Sequence, residues 1–154
     1  MEKSGKKYQI DTEENKMFLG ELQKNLLNFG KGFLSPGGSA YFLGDDGTPW
    51  KDRNRETWIT CRMVHVYSMG IMLGDKECPA LVHGAVHGLL EELKDRENGG
   101  WYPGITPDNK FLPDKQCYAH AFVLLAASSA LLAGEKDAET LLKDALELFD
   151  KRFW

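Results

Sequence analysis

The chain has 154 residues, of which 42% are hydrophobic and 27% charged, and its formal net charge is −4. This composition predicts one globular domain with a substantial core and gives no electrostatic basis for binding nucleic acid. The sequence has no run of 18 apolar residues, no apolar N-terminal segment and no Cys-x-x-Cys pair among its three cysteines, which predicts a cytoplasmic protein without a membrane span, a secretory signal or a cysteine-based metal site.

The first third of the chain predicts a polar terminus, one helix and a loop. Residues 1–14 are polar and are expected to form a flexible N-terminus. From Asn15, apolar residues at helical spacing predict a first helix that the glycines at 30 and 32 end. The glycine-rich stretch 31–53 predicts a long loop with a short hairpin, whose turn falls at 45–47.

Four further helices are predicted in the remaining two thirds. The second covers 57–73 and is apolar around most of its circumference, and the third runs from about Pro79 to Lys94. After a loop over 101–113 with weak hairpin character, Asp114 is the predicted N-cap of a fourth helix that continues to Ala133. The fifth helix is amphipathic and spans about 137–152.

The predicted helices repeat at an offset of 60 residues. Gly74 aligns with Gly134, and Trp58 aligns with Tyr118. Each unit is an apolar helix, a glycine turn and an amphipathic helix, which is an αα-hairpin with an inner and an outer helix. Such hairpins stack into an open solenoid or a closed ring. We therefore expect an all-α fold that forms the N-terminal part of a longer ring or completes its core with a second copy of the chain.

One stripe of the second helix carries Trp58, Arg62, His65 and Met69. A guanidinium on a mostly buried helix is costly unless it faces a partner or a wet cavity. Arg62 is therefore a candidate site residue, and the alternative is a structural ion pair with a neighbouring hairpin. His65, one turn deeper, is expected to be a hydrogen-bonded core histidine.

A metal site is not predicted. His83 and His87 have a metal-ligand spacing, but no His-Glu-x-x-His pattern is present and both lie on a predicted outer helix.

Four segments carry a resemblance to a known family: 28–31 (Asn-Phe-Gly-Lys), 58–68 (Trp-Ile-Thr-x-Arg-Met-x-His-Val-Tyr-Ser), 99–102 (Gly-Gly-Trp-Tyr) and 115–120 (Lys-Gln-x-Tyr-x-His). In these segments the chain resembles the N-acylglucosamine 2-epimerase superfamily, and most nearly its mannose and sulfoquinovose aldose–ketose isomerases. The resemblance implies an (α/α)6 toroid. Residues 15–154 would form the N-terminal part of that single barrel domain, roughly its first five helices.

The same resemblance implies a sugar isomerase that moves a proton through an enediolate, without a metal or a cofactor. Two histidines of later helices would serve as general base and acid, and Arg62 would be the catalytic group that polarises the substrate oxygen. Trp58 and Tyr118 match substrate-binding aromatics, although from the residues alone both also fit packing roles. His120 is a further substrate-binding candidate, although it lies about 200° around the helix from Tyr118.

Two alternatives remain open. A non-catalytic αα-hairpin module that binds carbohydrate or acts as a scaffold would share the repeat. A glycoside hydrolase fragment on the same barrel would need two carboxylates facing the cavity, and the predicted inner helices, 57–73 and 115–133, contain none. The expected partners are a small sugar and either the missing C-terminal helices or a second copy of the chain, with no nucleic acid and no membrane.

Overall fold

The computed structural model describes residues 9–153 of the chain, which divides into two compact units after Lys31. Most of the predicted flexible N-terminus, residues 1–8, lies outside the described residues, as does residue 154. The prediction that 15–154 belong to one barrel domain stays a prediction.

The first unit contains one helix, α1, over Glu13–Gly30. It begins two residues earlier than predicted because Thr12 caps it: the Thr12 hydroxyl accepts a hydrogen bond from the backbone N–H of Asn15 at 3.3 Å. Two glutamates in the first turn complement the positive end of the helix dipole. A short 3₁₀ turn over Lys31–Phe33 follows α1.

The second unit contains two αα-hairpins. The helices are α2 (Thr57–Met72), α3 (Cys78–Glu91), α4 (Cys117–Leu132) and α5 (Ala138–Arg152). Both ends of α2 lie 60 residues before the corresponding ends of α4, and the first residues of α3 and α5 differ by the same number. The described residues thus contain the five predicted helices, and the predicted repeat is confirmed.

Two predicted helix boundaries are wrong. α4 begins at Cys117 with Gln116 as its N-cap, not at Asp114; Lys115 is instead extended toward Asp95, with an ion pair of 2.6 Å. α3 ends at Glu91, and Lys94 forms a β-bridge with Trp101. In both cases a contact distant in sequence replaces the local helical preference.

Glycines end the inner helices of both hairpins in the same way. Gly74 has a φ of 90° and Gly134 a φ of 89°, a left-handed conformation that only glycine adopts without cost. The next residue in each hairpin, Asp75 or Glu135, donates its backbone N–H to a carbonyl five residues back. This cap turns the chain into the outer helix.

The helices pack as the repeat requires: α2 lies against α3 and α4, and α5 lies against α4. The interface includes several fully buried small or β-branched residues, Val64, Val82, Val123, Ala126, Ala127 and Ala130. α2 and α4 each keep exposed apolar side chains: Val66, Met69 and Met72 on α2, and Leu125, Leu131 and Leu132 on α4.

Two small antiparallel sheets connect the loops. β1 (Phe42–Leu43) pairs with β2 (Pro49–Trp50), which confirms the predicted hairpin. β3 (Arg55–Glu56) pairs with β4 (Gly104–Ile105); this long-range pairing was not predicted, because strands of two residues leave no periodic pattern. The predicted weak hairpin over 101–113 is present as a bridge between Ile105 and Phe111.

Among the described residues, none of the helices combines the length and the apolar character that crossing a bilayer requires.

Candidate functional site

The site is built from the first turns of α2 and α4. Trp58 is the second residue of α2, and its indole N–H donates to the carboxylate of Glu56, the residue that caps the helix. On its other side, Trp58 meets the ring of Phe42 from β1 edge to face, with 6.2 Å between ring centroids. These two contacts hold the indole at the start of α2.

Arg62 lies one turn further along α2, on the same stripe as Trp58. Its guanidinium carbon is 4.6 Å from the centre of the Trp58 ring and 5.2 Å from that of Phe122. The side chain is exposed. Within the part of the chain that the structure describes, it has no carboxylate within 4.0 Å and no hydrogen bond, so the structural ion pair considered as the alternative is not formed there. Its N–H donors are available to a ligand.

Tyr118 is the second residue of α4 and meets the same indole. Its ring lies 6.1 Å from Trp58 and 4.9 Å from Phe122, and 54% of the residue is exposed. Phe42, Trp58, Arg62, Tyr118 and Phe122 thus form one group, the arginine–aromatic cluster. Sequence analysis missed Phe122, although the repeat contains its signal, since Phe122 occupies the position of Arg62 in the second hairpin.

His120, the fourth predicted site residue, lies apart from this cluster. It is 2% exposed, its Nδ1–H donates to the Gln116 carbonyl at 2.8 Å, and its Nε2 accepts the Trp101 backbone N–H at 3.1 Å. Burial lowers the pKa of His120, so the imidazole is neutral near pH 7. It lines a separate cavity of about 400 Å³ together with Lys115, Arg152 and Phe153.

His65 is half-buried below Arg62. Its Nδ1 is 2.7 Å from the hydroxyl of Ser129 on α4, and that hydroxyl donates to the Leu125 carbonyl. The imidazole therefore supplies the proton of the His65–Ser129 bond, as expected for a hydrogen-bonded core histidine. Together with the Trp58–Tyr118 contact, this bond shows that α2 and α4 run in the same direction.

A buried arginine fixes the strand that precedes α2. Arg55 is 7% exposed and donates to Ser39 at 2.8 Å, to Glu92 at 3.1 Å and to Asn109 at 3.0 Å. One guanidinium thus joins three segments to β3, directly before Trp58. No short-range pattern marks these partners, which lie 16, 37 and 54 residues away.

Hydrogen bonds at Thr57 hold the first residue of α2 in the same place. Its hydroxyl donates to the Tyr102 carbonyl at 2.6 Å, and its backbone N–H donates to Pro103 at 2.9 Å. The start of α2, and with it the position of Trp58 and Arg62, is therefore determined by loops that are distant in sequence.

Comparison with known proteins identifies the family of the chain. The model of the N-acylglucosamine 2-epimerase family matches residues 37–154. A D-mannose isomerase of Pseudomonas cannabina pv. alisalensis is 38% identical over 131 residues, which cover 85% of this chain and 31% of that protein. A D-mannose isomerase of Thermobifida fusca is 34% identical over 136 residues, 85% of this chain and 32% of that protein. The chain therefore spans about a third of the length of these curated relatives.

Two solved structures are similar in fold. A crystal structure of D-mannose isomerase matches with a TM-score of 0.78 at 23% identity. This match covers 90% of the present chain and 37% of the isomerase chain. Cellobiose 2-epimerase from Spirochaeta thermophila matches with a TM-score of 0.71 at 20% identity. This match covers 92% of the present chain and 38% of the epimerase chain. Both have the (α/α)6 toroid fold, and the helices described above correspond to a portion of it. The family-model match over residues 37–154 shows that the chain belongs to the N-acylglucosamine 2-epimerase family.

Proposed function

We propose that the chain supplies the sugar-binding and oxygen-polarising part of an aldose–ketose isomerase that acts on a mannose-like sugar. The observation that carries this proposal is Arg62, an exposed guanidinium held by two aromatic rings, with no ionic partner among the described residues. The curated D-mannose isomerases at 38% and 34% identity support mannose as the first substrate to test.

The reaction transfers a proton between two adjacent carbons of the sugar. A base removes the proton at C2 of the aldose while O1 is protonated; the resulting enediol then accepts a proton at C1 and loses one from O2. Since substrate and product are isomers, no external oxidant or reductant is consumed. Negative charge builds up on oxygen in each half of the reaction, and a preorganised cation there stabilises the transition state.

The arginine–aromatic cluster suits this task. Arg62 is permanently charged and presents several N–H donors in a fixed plane, which fits two neighbouring sugar oxygens. The rings of Trp58 and Tyr118 provide apolar surface for the C–H face of the sugar and exclude water around the developing charge. By resemblance to the family, the proton-transferring histidines come from helices later in the ring.

We also propose that further helices complete the ring around this site. The exposed apolar side chains of α2 and α4 are the surface they would cover. The share of the relatives that the chain spans, about a third, favours helices from the rest of a longer polypeptide over a second copy of the chain.

The reaction can be tested by incubating the protein, expressed from its complete coding sequence, with D-mannose in deuterated water. We expect a ketose product with deuterium at C1. Arg62→Met should lower kcat/KM by at least about 100-fold, as loss of an oxyanion-stabilising donor does. Because Arg62 is exposed and methionine can keep part of the contact with the two rings, the thermal midpoint of the variant should fall by less than about 4 °C.

The matched control is Arg96→Met, a second exposed arginine, in the loop after α3 and outside the cluster. We expect it to retain activity. Mannose binding without deuterium exchange would instead identify a carbohydrate-binding module, and a large loss of thermal stability in Arg62→Met would contradict the catalytic role.

A further inference from the structure

Three metal-ligating side chains from the two αα-hairpins meet on the outer side of the unit. His83 lies in the second turn of α3, and Glu135 and Asp137 lie in the turn between α4 and α5. One ligand atom from each of the three lies within 4.8 Å of the others. We propose that these residues bind a transition-metal dication such as Zn²⁺, which clamps the first hairpin to the second.

The donor set determines the class of ion. Imidazole nitrogen and carboxylate oxygen are both zinc ligands, whereas calcium and magnesium prefer oxygen ligands alone. Bonds of about 2.0–2.2 Å in a tetrahedral zinc site place neighbouring ligand atoms about 3.3–3.6 Å apart. His83 Nδ1 and Glu135 Oε1 already lie 3.3 Å apart, and water can occupy the fourth position.

Glu135 is the fixed member of the group. Its side chain is only 12% exposed, and its Oε1 accepts the backbone N–H of Asp137 at 3.2 Å. The left-handed Gly134 directly before it sets the direction of the turn. His83 and Asp137 are exposed, and the one polar contact of the His83 ring among the described residues is with Glu135 itself, so coordination would replace that contact.

This site differs from the helical pair that the sequence offered. His83 and His87 lie one turn apart on α3, but His87 is not part of the group whose ligand atoms lie close together. The carboxylate partner of His83 comes from 52 residues further along the chain, so only the packing of the two hairpins reveals it. An ion held there would tie α3 to the α4–α5 turn, in addition to the packing and the His65–Ser129 hydrogen bond that already join the two hairpins.

The test is a zinc titration of the full chain by calorimetry and thermal denaturation, in a Cys117→Ser background because that exposed thiol could bind zinc itself. We expect one ion per chain. The thermal midpoint should rise by about 3–6 °C when free zinc is about ten times Kd. His83→Ala and Asp137→Asn should each weaken binding at least about ten-fold. All these residues are exposed, so the variants should keep their far-ultraviolet circular dichroism spectra.

His87→Ala is the matched control, since it removes an exposed imidazole one turn away on the same helix, and zinc affinity should be unchanged. Equal loss in His87→Ala and His83→Ala, with no effect of Asp137→Asn, would assign the ion to the helical pair and overturn the proposal. So would the absence of any rise in thermal midpoint at about 0.1 mM zinc. The Arg62→Met variant should bind zinc normally, which keeps this result separate from the isomerase test.

Discussion

At the scale of single residues, Arg62 shows how aromatic rings can position a charge: no carboxylate within residues 9–153 pairs with it. Each aromatic contact of an exposed guanidinium contributes about 0.5–1 kcal/mol, enough to select a side-chain orientation. A carboxylate would hold the group more firmly but would occupy the donors that a substrate oxygen needs. The rings of Trp58 and Phe122 therefore orient Arg62, and none of the described residues occupies its hydrogen-bond donors.

His120 leads to a prediction about pH. Burial lowers its pKa below the ordinary value of 6.5, so the unfolded chain binds this proton more tightly than the folded chain. The free energy of unfolding should therefore be highest above that value and fall as the pH drops through it. Thermal midpoints measured at about pH 7.5 and about pH 5.5 should show this fall. It should be smaller in His120→Gln, whose amide oxygen can accept the Trp101 N–H but does not titrate.

The acidic groups act in a different pH range. The hydrogen bond and ion pair with Lys115 hold the pKa of Asp95 well below its ordinary value of 3.8, so the stability it contributes is present above that value and lost only at lower pH.

Equal pH dependence of the thermal midpoint in the wild type and in His120→Gln would contradict the prediction that His120 causes the loss of stability between about pH 7.5 and about pH 5.5.

The residue types of the site were predictable from the sequence, but their contacts were not. Trp58 and Arg62 share a helical stripe, and Trp58 and Tyr118 share a position of the repeat. Both relations can be read directly from the sequence. The hydrogen bond that His120 accepts comes from Trp101, 19 residues away, and the bonds of Arg55 reach segments up to 54 residues away. Such pairings follow from how the loops pack, for which no periodic pattern exists.

At the scale of secondary-structure elements, the glycine caps predict matched effects in the two hairpins. A Cβ at Gly74 or Gly134 would meet no atom within 4 Å, so the cost of alanine there is that of the left-handed backbone alone. We expect Gly74→Ala and Gly134→Ala each to lower the free energy of unfolding by about 1–2 kcal/mol. The thermal midpoint should fall by about 3–6 °C, measured by circular dichroism.

Two controls accompany this pair. Asparagine at the same positions should cost less, since it tolerates the left-handed conformation better than alanine. Gly20→Ala in α1, where a Cβ also has open space, should raise stability by up to about 1 kcal/mol, because the glycine there is helical. A much larger loss at one of the two caps than at the other would show that the hairpins are not equivalent.

Element boundaries were predicted well where a local signal decides them and poorly where a tertiary contact competes. The glycines after α2 and α4 end both helices as expected. Asp114 is a good N-cap residue, yet the ion pair of Lys115 with Asp95 keeps the following residues extended and delays α4 to Cys117. The strength of a capping preference, about 1 kcal/mol, is small enough for one such pair to override.

At the scale of the whole molecule, the repeat explains why the site lies where it does. Two parallel inner helices, offset by 60 residues, bring their second residues, Trp58 and Tyr118, together at one end. The short β3–β4 sheet and the Arg55 network then connect the loops at that same end. A ring built from such hairpins collects the first turns of its inner helices around one opening, and side chains there can act on one substrate.

This arrangement predicts that the segment can be exchanged between relatives. We expect a chimera of the D-mannose isomerase of Pseudomonas cannabina, in which residues 37–154 of this chain replace the matching segment, to fold and to isomerise D-mannose. The family match covers that whole segment, and buried positions at this level of identity, 38%, tolerate conservative repacking. Ketose formation should be measured beside the parent enzyme, with thermal denaturation to show that the chimera is folded.

The same chimera with Arg62→Met separates the site from the scaffold. Its thermal midpoint should lie within about 4 °C of that of the active chimera, because methionine keeps part of the aromatic contacts, and its kcat/KM should fall at least about 100-fold. A folded chimera that binds mannose but is inactive, with Arg62 intact, would show that the chain's cluster serves binding without polarising the reacting oxygen. Since the histidines that transfer the proton would come from the parent enzyme, that outcome would place the deficiency within residues 37–154.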